Sequence, residues 1–498
     1  MKKFSKCLCF WSCWTTLLLA IVTVSAQDVH SKLRLLPPQA SPGIRTPKRR
    51  WFSQVKDHFS GDNKTIWHQK FFYSDDFFKP GGPVFLYVGG EFELSSSFLS
   101  GGHIIEMAAE NNAFLLGLEH RYYGESFPTA IKNIPKSLAL LNVDQALADL
   151  AYFVENVAEL EEFRLLSGAR WIAIGCSYPG MLAAWLRAKY PHLVYAAVAS
   201  SAPVLAKTEF PEYEDVVARV LRDSKPGCLE SIQKASHAVR EFQASDNSTY
   251  LDELFPDVLN DVLKEVNDMI STIVQINILR TLRPVELACS IMTNDELGSP
   301  LERYSTLWKR FKRRYFDESL NDLVYIAWRY QTCTEFGYNI VTSSISKYPY
   351  HVKKLDKWIS DECSIFGPGF DSKRVEQGVA AINAQYGGKQ PNVSRVVYTN
   401  GADDPWSALG ITSEVPGEDN HVIVIAGEPH CVDFLPSSGR DSPALRAARR
   451  RIRSLVKKWA TQRGGDNLTT KKPTKIRTKE GSIVFTAIDE ATKLDPIF

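Results

Sequence analysis

Four short runs of this chain carry continuous rather than alternating apolar residues: PVFLYVGG (83–90), AFLLGLEHR (113–121), WIAIGCS (171–177) and VYAAVASSAP (194–203). A strand with one face in water alternates apolar with polar side chains, and a strand covered on both faces does not. These runs therefore describe buried strands of a parallel sheet. The segments between them carry helical periodicity, as in VDQALADLAYFVENV and MLAAWLRAKY. Strand and helix in alternation imply an α/β fold, a mostly parallel sheet wrapped by helices. From about Phe210 to Asp371 the apolar residues fall at helical spacing, for example Tyr213, Val216, Val217, Val220 and Leu221, which describes an inserted helical domain. The strand signal returns in RVVYTNG and HVIVIAG, so chain from beyond the insertion completes the sheet. A last helix runs from about Ser442 to Thr461, and its Arg449, Arg450, Arg451 and Arg453 read as a solvated face.

The expected order is a signal peptide (1–26), a linker (27–50), a first part of the α/β body (51–209), the helical insertion (210–371), a second part of the body (372–462) and a flexible basic tail (463–498). Lys2, Lys3 and Lys6 precede the uncharged run CLCFWSCWTTLLLAIVTVSA, whose small-x-small end predicts cleavage after Ala26. An uncleaved membrane anchor is the rival reading, weakened by Ser12, Thr15 and Thr16. Entry to the secretory pathway, ending outside the cell or in a lysosome, gives meaning to four N-x-S/T sequons at Asn63, Asn247, Asn392 and Asn467. It also gives meaning to six cysteines that outlast the signal: Cys176, Cys228, Cys289, Cys333, Cys363 and Cys431. Four of them lie in the insertion and are expected to pair among themselves, leaving Cys176 and Cys431 either bridged or free. Their spacing does not match a zinc site, so neither a metal nor a cofactor is expected. A net charge of +2 gives no reason to expect a nucleic-acid partner. The expected partner is a peptide substrate, with a homodimer left open.

The chemistry lies in three loops. Ser177 follows the strand run WIAI, GADDPW follows RVVYTN, and GEPHC follows HVIVIA. A serine nucleophile needs a base for its proton and a carboxylate to orient that base, and an α/β hydrolase presents them in the order serine, acid, histidine on loops after strands. Each has a plainer reading alone: Ser177 as a helix cap, Asp403 or Asp404 as a turn former, His430 as a loop histidine. Together and in order they point to a triad. The G-x-S-x-G spacing is altered, because Pro179 stands where the second glycine belongs and Gly180 follows one residue late. Proline at the start of a helix loses nothing, and the NH of Tyr178 remains to bind an oxyanion.

On GGE (89–91), LEHRYYGESFP (118–128), QALADLAYF (145–153), GCSYPG, YPHLVYAAVASSAPV and NGADDPW, the chain resembles the serine peptidases that include prolyl carboxypeptidase, dipeptidyl peptidase II and thymus-specific serine protease. YQTCTEFGY (330–338) and GEPHCVDF (427–434) resemble the thymus-specific branch most. The resemblance covers about residues 54–460 and implies an α/β hydrolase fold with a helical, lid-like insertion over the site. It implies Ser177 as nucleophile, Asp404 rather than Asp403 as acid, and His430 as base. It implies cleavage of small peptides beside proline near one end. The second oxyanion NH is expected near Gly90 and Glu91, although GGEF departs from the GGEG of many members. An exopeptidase must hold a charged chain end, and AWRYQTCTEF offers Arg329 for a carboxylate and Glu335 for an amine. Arginine's bidentate fork favours a carboxypeptidase mode over the alternative, release of N-terminal dipeptides. An esterase on the same fold and a catalytically silent binding glycoprotein are the other readings.

Overall fold

The computed structural model describes residues 38–462 except 62–63, 245–248, 257, 259–260, 279–282, 316–321, 347 and 349–354. The expected signal, residues 27–37 of the linker, the basic tail and the sequons at Asn63, Asn247 and Asn467 lie outside the described residues; Asn392 is exposed.

The apolar runs form strands, with β1 (Lys48–Val55) and β2 (Ile66–Ser74) ahead of β3 (Val84–Val88), β4 (Phe114–Leu118), β5 (Trp171–Cys176) and β6 (Val194–Ser200). A short ribbon of β7 (Lys207–Glu209) and β8 (Gly337–Asn339) follows, then β9 (Val396–Gly401) and β10 (His421–Ile425). The main sheet has eight strands in the order β1-β2-β4-β3-β5-β6-β9-β10. β2 runs antiparallel to both neighbours, and the strands from β4 to β10 are parallel. This is the sheet of an α/β hydrolase. Successive residues of a strand point to opposite faces. Phe85, Ile172, Ile174 and Val198 pack on one face with Met107, Leu455 and Trp459, while Leu86, Ala173 and Ala197 pack on the other with Leu147, Met181 and Trp185. Burying a large apolar side chain this way contributes roughly 1.5–3 kcal/mol, which is why the sequence shows continuous rather than alternating apolar runs.

The body begins earlier than residue 51. Lys48 already pairs with Tyr73 in the β1–β2 register, and Ser41 donates its NH to Ser100 at 2.7 Å. The final helix (Pro443–Thr461) also differs from its expected form, because Arg449 is buried. Its guanidinium bonds to the carbonyls of Val432 and Leu435, both at 2.8 Å, and pairs with Asp441. Those carbonyls belong to the segment just after His430, so this arginine braces the loop that follows β10.

The helical segment leaves the sheet after β6 and runs from the helix Glu212–Ser224 to the helix Leu355–Cys363 before β9. Two disulfides staple it, Cys228–Cys289 and Cys333–Cys363. The first closes a 61-residue separation between helices that also share the buried side chains of Leu229, Ile232 and Val285. Two of the sequence markers meet in the body, where Arg121 bonds bidentately to Asp149, both distances 2.6 Å, with both side chains buried.

Candidate active site

Ser177 stands between β5 and the helix Tyr178–Lys189 with φ 63° and ψ −132°, and it is partly exposed. A non-glycine residue in this region is strained, and such strain collects at functional positions. The Ser177 side chain makes no capping bond to the helix it precedes, so capping does not explain it. Three glycines make the sharp turn possible. A Cβ on Gly175 would lie 2.1 Å from the Pro179 carbonyl oxygen, and one on Gly180 would lie 2.8 Å from that of Ser200. A Cβ on Gly90 would strike the Pro179 ring at 2.4 Å, so the loop after β3 rests directly on the start of the nucleophile helix. The late glycine is thus the one that packs this helix against β6. Gly175→Ala should destabilise the fold by about 1–3 kcal/mol, measured by denaturant unfolding, because the atoms it meets are backbone.

Asp404 and His430 meet in the loops after β9 and β10. His430 Nδ1 lies 2.8 Å from Asp404 Oδ2, and both side chains are buried. The other carboxylate oxygen of Asp404 accepts the Trp406 NH at 2.9 Å, which fixes its plane. Asp403 points elsewhere, pairing with Arg219 of the insertion at 3.0 Å. The His430 NH donates to the Gln275 carbonyl at 3.1 Å, and Gln275 Oε1 accepts from Tyr213 at 2.7 Å and Trp406 at 3.1 Å. The insertion therefore holds the histidine loop from above. Cys176 and Cys431, next to Ser177 and His430, form a disulfide across 255 residues. This resolves the choice between bridged and free.

The Tyr178 side chain sits in a buried hydrogen-bond network. Its hydroxyl meets His120 Nε2 at 2.9 Å and accepts from Gln331 Nε2 at 2.9 Å, while Tyr123 donates to Gln331 Oε1 at 2.6 Å. His120 Nδ1 faces the Arg121 carbonyl at 2.7 Å, so it carries the proton and Nε2 accepts from Tyr178. Burial lowers the His120 pKa to about 4, which keeps this ring neutral. Around it runs an arc of ring contacts from Tyr178 through Trp328 and Phe336 to Tyr338 and Trp406, with successive centroids 5.3–5.8 Å apart.

Arg329 is buried and paired with Glu362 at 3.1 Å. Glu335 accepts the Val143 NH at 2.9 Å and lines a cavity of about 300 Å³ with Asp144, Arg374 and Tyr386; none of Ser177, Asp404 and His430 is in its lining. Burial raises the Glu335 carboxyl to about 8. A second carboxylate, besides Asp404, that feels the charge of His430 is Glu91. Burial pushes it up to about 7, against the pull of His430. Its neighbour Glu93 is bonded to Lys70 at 3.1 Å, and the phenols of Tyr123 and Tyr178 are spent on Gln331 and His120. Reading GGE only as a source of a backbone NH missed this side chain.

Residues 54–452 match the family model described as serine carboxypeptidase S28. The chain belongs to this family of serine peptidases. Among its relatives, the Caenorhabditis elegans protein K12H4.7 is 33% identical over 82% of this chain and 87% of that one. Human thymus-specific serine protease is 30% identical over 83% of this chain and 87% of its own length. Human lysosomal Pro-X carboxypeptidase is 29% identical over 82% and 87% respectively. Identities this close together do not separate the branches of the family. Among the described residues, no helix is long and apolar enough to cross a membrane.

Proposed function

We propose that the protein is a serine exopeptidase that cleaves peptides near one end, through an acyl-enzyme on Ser177. The buried 2.8 Å contact between His430 Nδ1 and Asp404 carries the reading. It leaves Nε2 of the imidazole to take the Ser177 proton as the hydroxyl attacks the scissile carbonyl, and later to return it to the leaving amine. Asp404 holds the tautomer and balances the imidazolium. The NH groups of Tyr178 and of the loop at Gly90 are the oxyanion donors, which become strong as negative charge develops. Trp328 and Trp406, the partly exposed rings of the aromatic arc, offer an apolar wall for a prolyl ring beside the scissile bond, and a relative's name, Pro-X carboxypeptidase, supports that preference. The helical segment over the histidine loop supports access for chain ends rather than folded proteins. Three disulfides and the exposed sequon at Asn392 support passage through the secretory pathway, to the exterior or a lysosome. Digestion of a peptide library, read by mass spectrometry, tests the proposal: terminal fragments support it, and internal cuts in long peptides contradict it.

A second reading concerns which end is held. To hold a substrate carboxylate, Arg329 would have to share the charge it gives Glu362. Glu91 lies within electrostatic reach of His430, and a carboxylate there suits an ammonium, which favours release of N-terminal fragments. Glu91→Gln should then raise KM for free-amine peptides about ten- to a hundredfold, and leave N-acetylated ones unchanged. An ammonium binds the ionised carboxylate, so free-amine KM should rise as pH falls below about 7 in the wild type alone. If the selective loss followed Arg329→Ala and C-terminal amidation instead, the carboxypeptidase mode would stand.

A further inference from the structure

The proposed hydrolysis uses the residues on either side of one bond in the structure and not the bond itself. Cys176 precedes the nucleophile, Cys431 follows the base, and their Cα atoms are 5.9 Å apart. In the sheet β6 and β9 lie between β5 and β10, so the histidine loop must cross two strand ends to reach Cys176. It does so closely. A Cβ on Gly401, at the end of β9, would sit 2.2 Å from the Glu428 carbonyl oxygen, and the Cys431 NH donates to Ser201 Oγ, just past β6, at 3.0 Å. Cys431 itself sits in the left-handed region at φ 57°. These contacts hold the loop over the strand ends independently of the sulfur bridge.

The two sulfurs and a ring nitrogen of His430 all lie within 4.8 Å of one another, and all three residues are buried. We propose that reduction of the Cys176–Cys431 bridge turns this trio into a binding site for a thiophilic divalent cation such as Zn²⁺, and that the bound cation switches the enzyme off by occupying the base. The inference rests on the reading of His430 as base for its effect on activity, and on geometry alone for the metal.

The donor set suits the ion. Two thiolates and one imidazole with a fourth position left open is a known zinc coordination, with Zn–S near 2.3 Å and Zn–N near 2.0–2.1 Å. His430 already has the outer partner that metal-bound histidines have, since Nδ1 is held by Asp404 and the lone pair of Nε2 is free to bind. The chemistry balances. A dithiol reductant gives two electrons and two protons to the bridge and closes into its own disulfide, leaving thiols at Cys176 and Cys431. Binding of M²⁺ then releases the two thiol protons, and the site is left without net charge from sulfur and metal. Removing the metal and exchanging the two thiols with a small disulfide such as oxidised glutathione, which leaves as two thiols, restores both the bridge and the base. While the bridge is intact no thiolate exists there, so metal binding is gated by redox state.

The test uses the purified full chain, reduced with a dithiol, freed of reductant under anaerobic conditions and titrated with Cd²⁺. Thiolate-to-cadmium charge-transfer absorption should saturate with a component that is missing from C176S/C431S treated the same way. That variant keeps the insertion cysteines and so subtracts their contribution. Peptide hydrolysis by the reduced wild type should fall at least about 100-fold on cadmium binding and return after chelation and reoxidation. X-ray absorption of the loaded wild type, which needs no variant to fold, should show two sulfurs and one imidazole nitrogen at this metal. A bridge that resists the dithiol in the folded protein, an equal cadmium signal in C176S/C431S, or a sulfur-only shell would overturn the proposal. If the metal bound through the predicted ligands while hydrolysis continued, the role of His430 as base would fail and the metal site would survive.

Discussion

Ser177→Ala is expected to lower peptide hydrolysis by about 10⁶-fold, to the level left when a hydrolase loses its nucleophile. Thermal unfolding should barely change. Ser177 makes no capping bond, and its backbone bonds, to the Ser200 carbonyl at 2.8 Å and from the Met181 NH at 3.1 Å, do not involve the hydroxyl. Alanine keeps the Cβ that the strained φ of 63° already accommodates. Turnover of chromogenic peptides by the folded variant checks this. A loss of only a few fold would assign the nucleophile to another residue.

Asp404→Asn should cost about 10⁴-fold in kcat, because an amide can donate to Nδ1 and so favours the wrong imidazole tautomer. The Trp406 NH would still find an acceptor, so the loop should keep its shape. Asp403→Asn should cost less than tenfold, since its carboxylate meets Arg219, on a side chain 41% exposed, where ion pairs contribute about 0–1 kcal/mol. The ratio of the two variants is the informative quantity. Equal losses would mean that the pair of aspartates acts through loop structure, and the reverse order would transfer the acid to Asp403.

The parts of this molecule most legible in sequence are those where local pattern and burial agree. β3, β5, β6 and β9 are covered on both faces, so their apolar runs are unbroken, and the loops that carry Ser177 and Asp404 begin where the runs end. β1 and β2 were not legible because their buried positions include Gln54, Gln69 and Lys70. These side chains are satisfied by one another and by distant groups: Gln54 donates to Gln69 at 2.9 Å, and Lys70 pairs with Glu119 at 2.8 Å. No period of two in hydrophobicity survives such pairing. Arg449 failed for a related reason. Among four arginines at nearby positions, only the path of the turn at 432–441 makes this one a buried ligand of carbonyl groups. The cysteine pairs needed Cα separations of 5.0–5.9 Å that no sequence spacing supplies. Glu91 was visible as a residue, but its raised carboxyl comes from burial, which outweighs the charge of His430, far away in sequence.

The proposed nucleophile of this peptidase is Ser177, activated by His430 and Asp404. Reaction of the wild-type protein with a fluorophosphonate, followed by proteolysis and mass mapping of the adduct, tests it most directly. A single phosphonylated residue, Ser177, is expected, with labelling slowed by Asp404→Asn and absent in Ser177→Ala. An adduct on any other side chain, or a protein that hydrolyses peptides while remaining unlabelled, would contradict it.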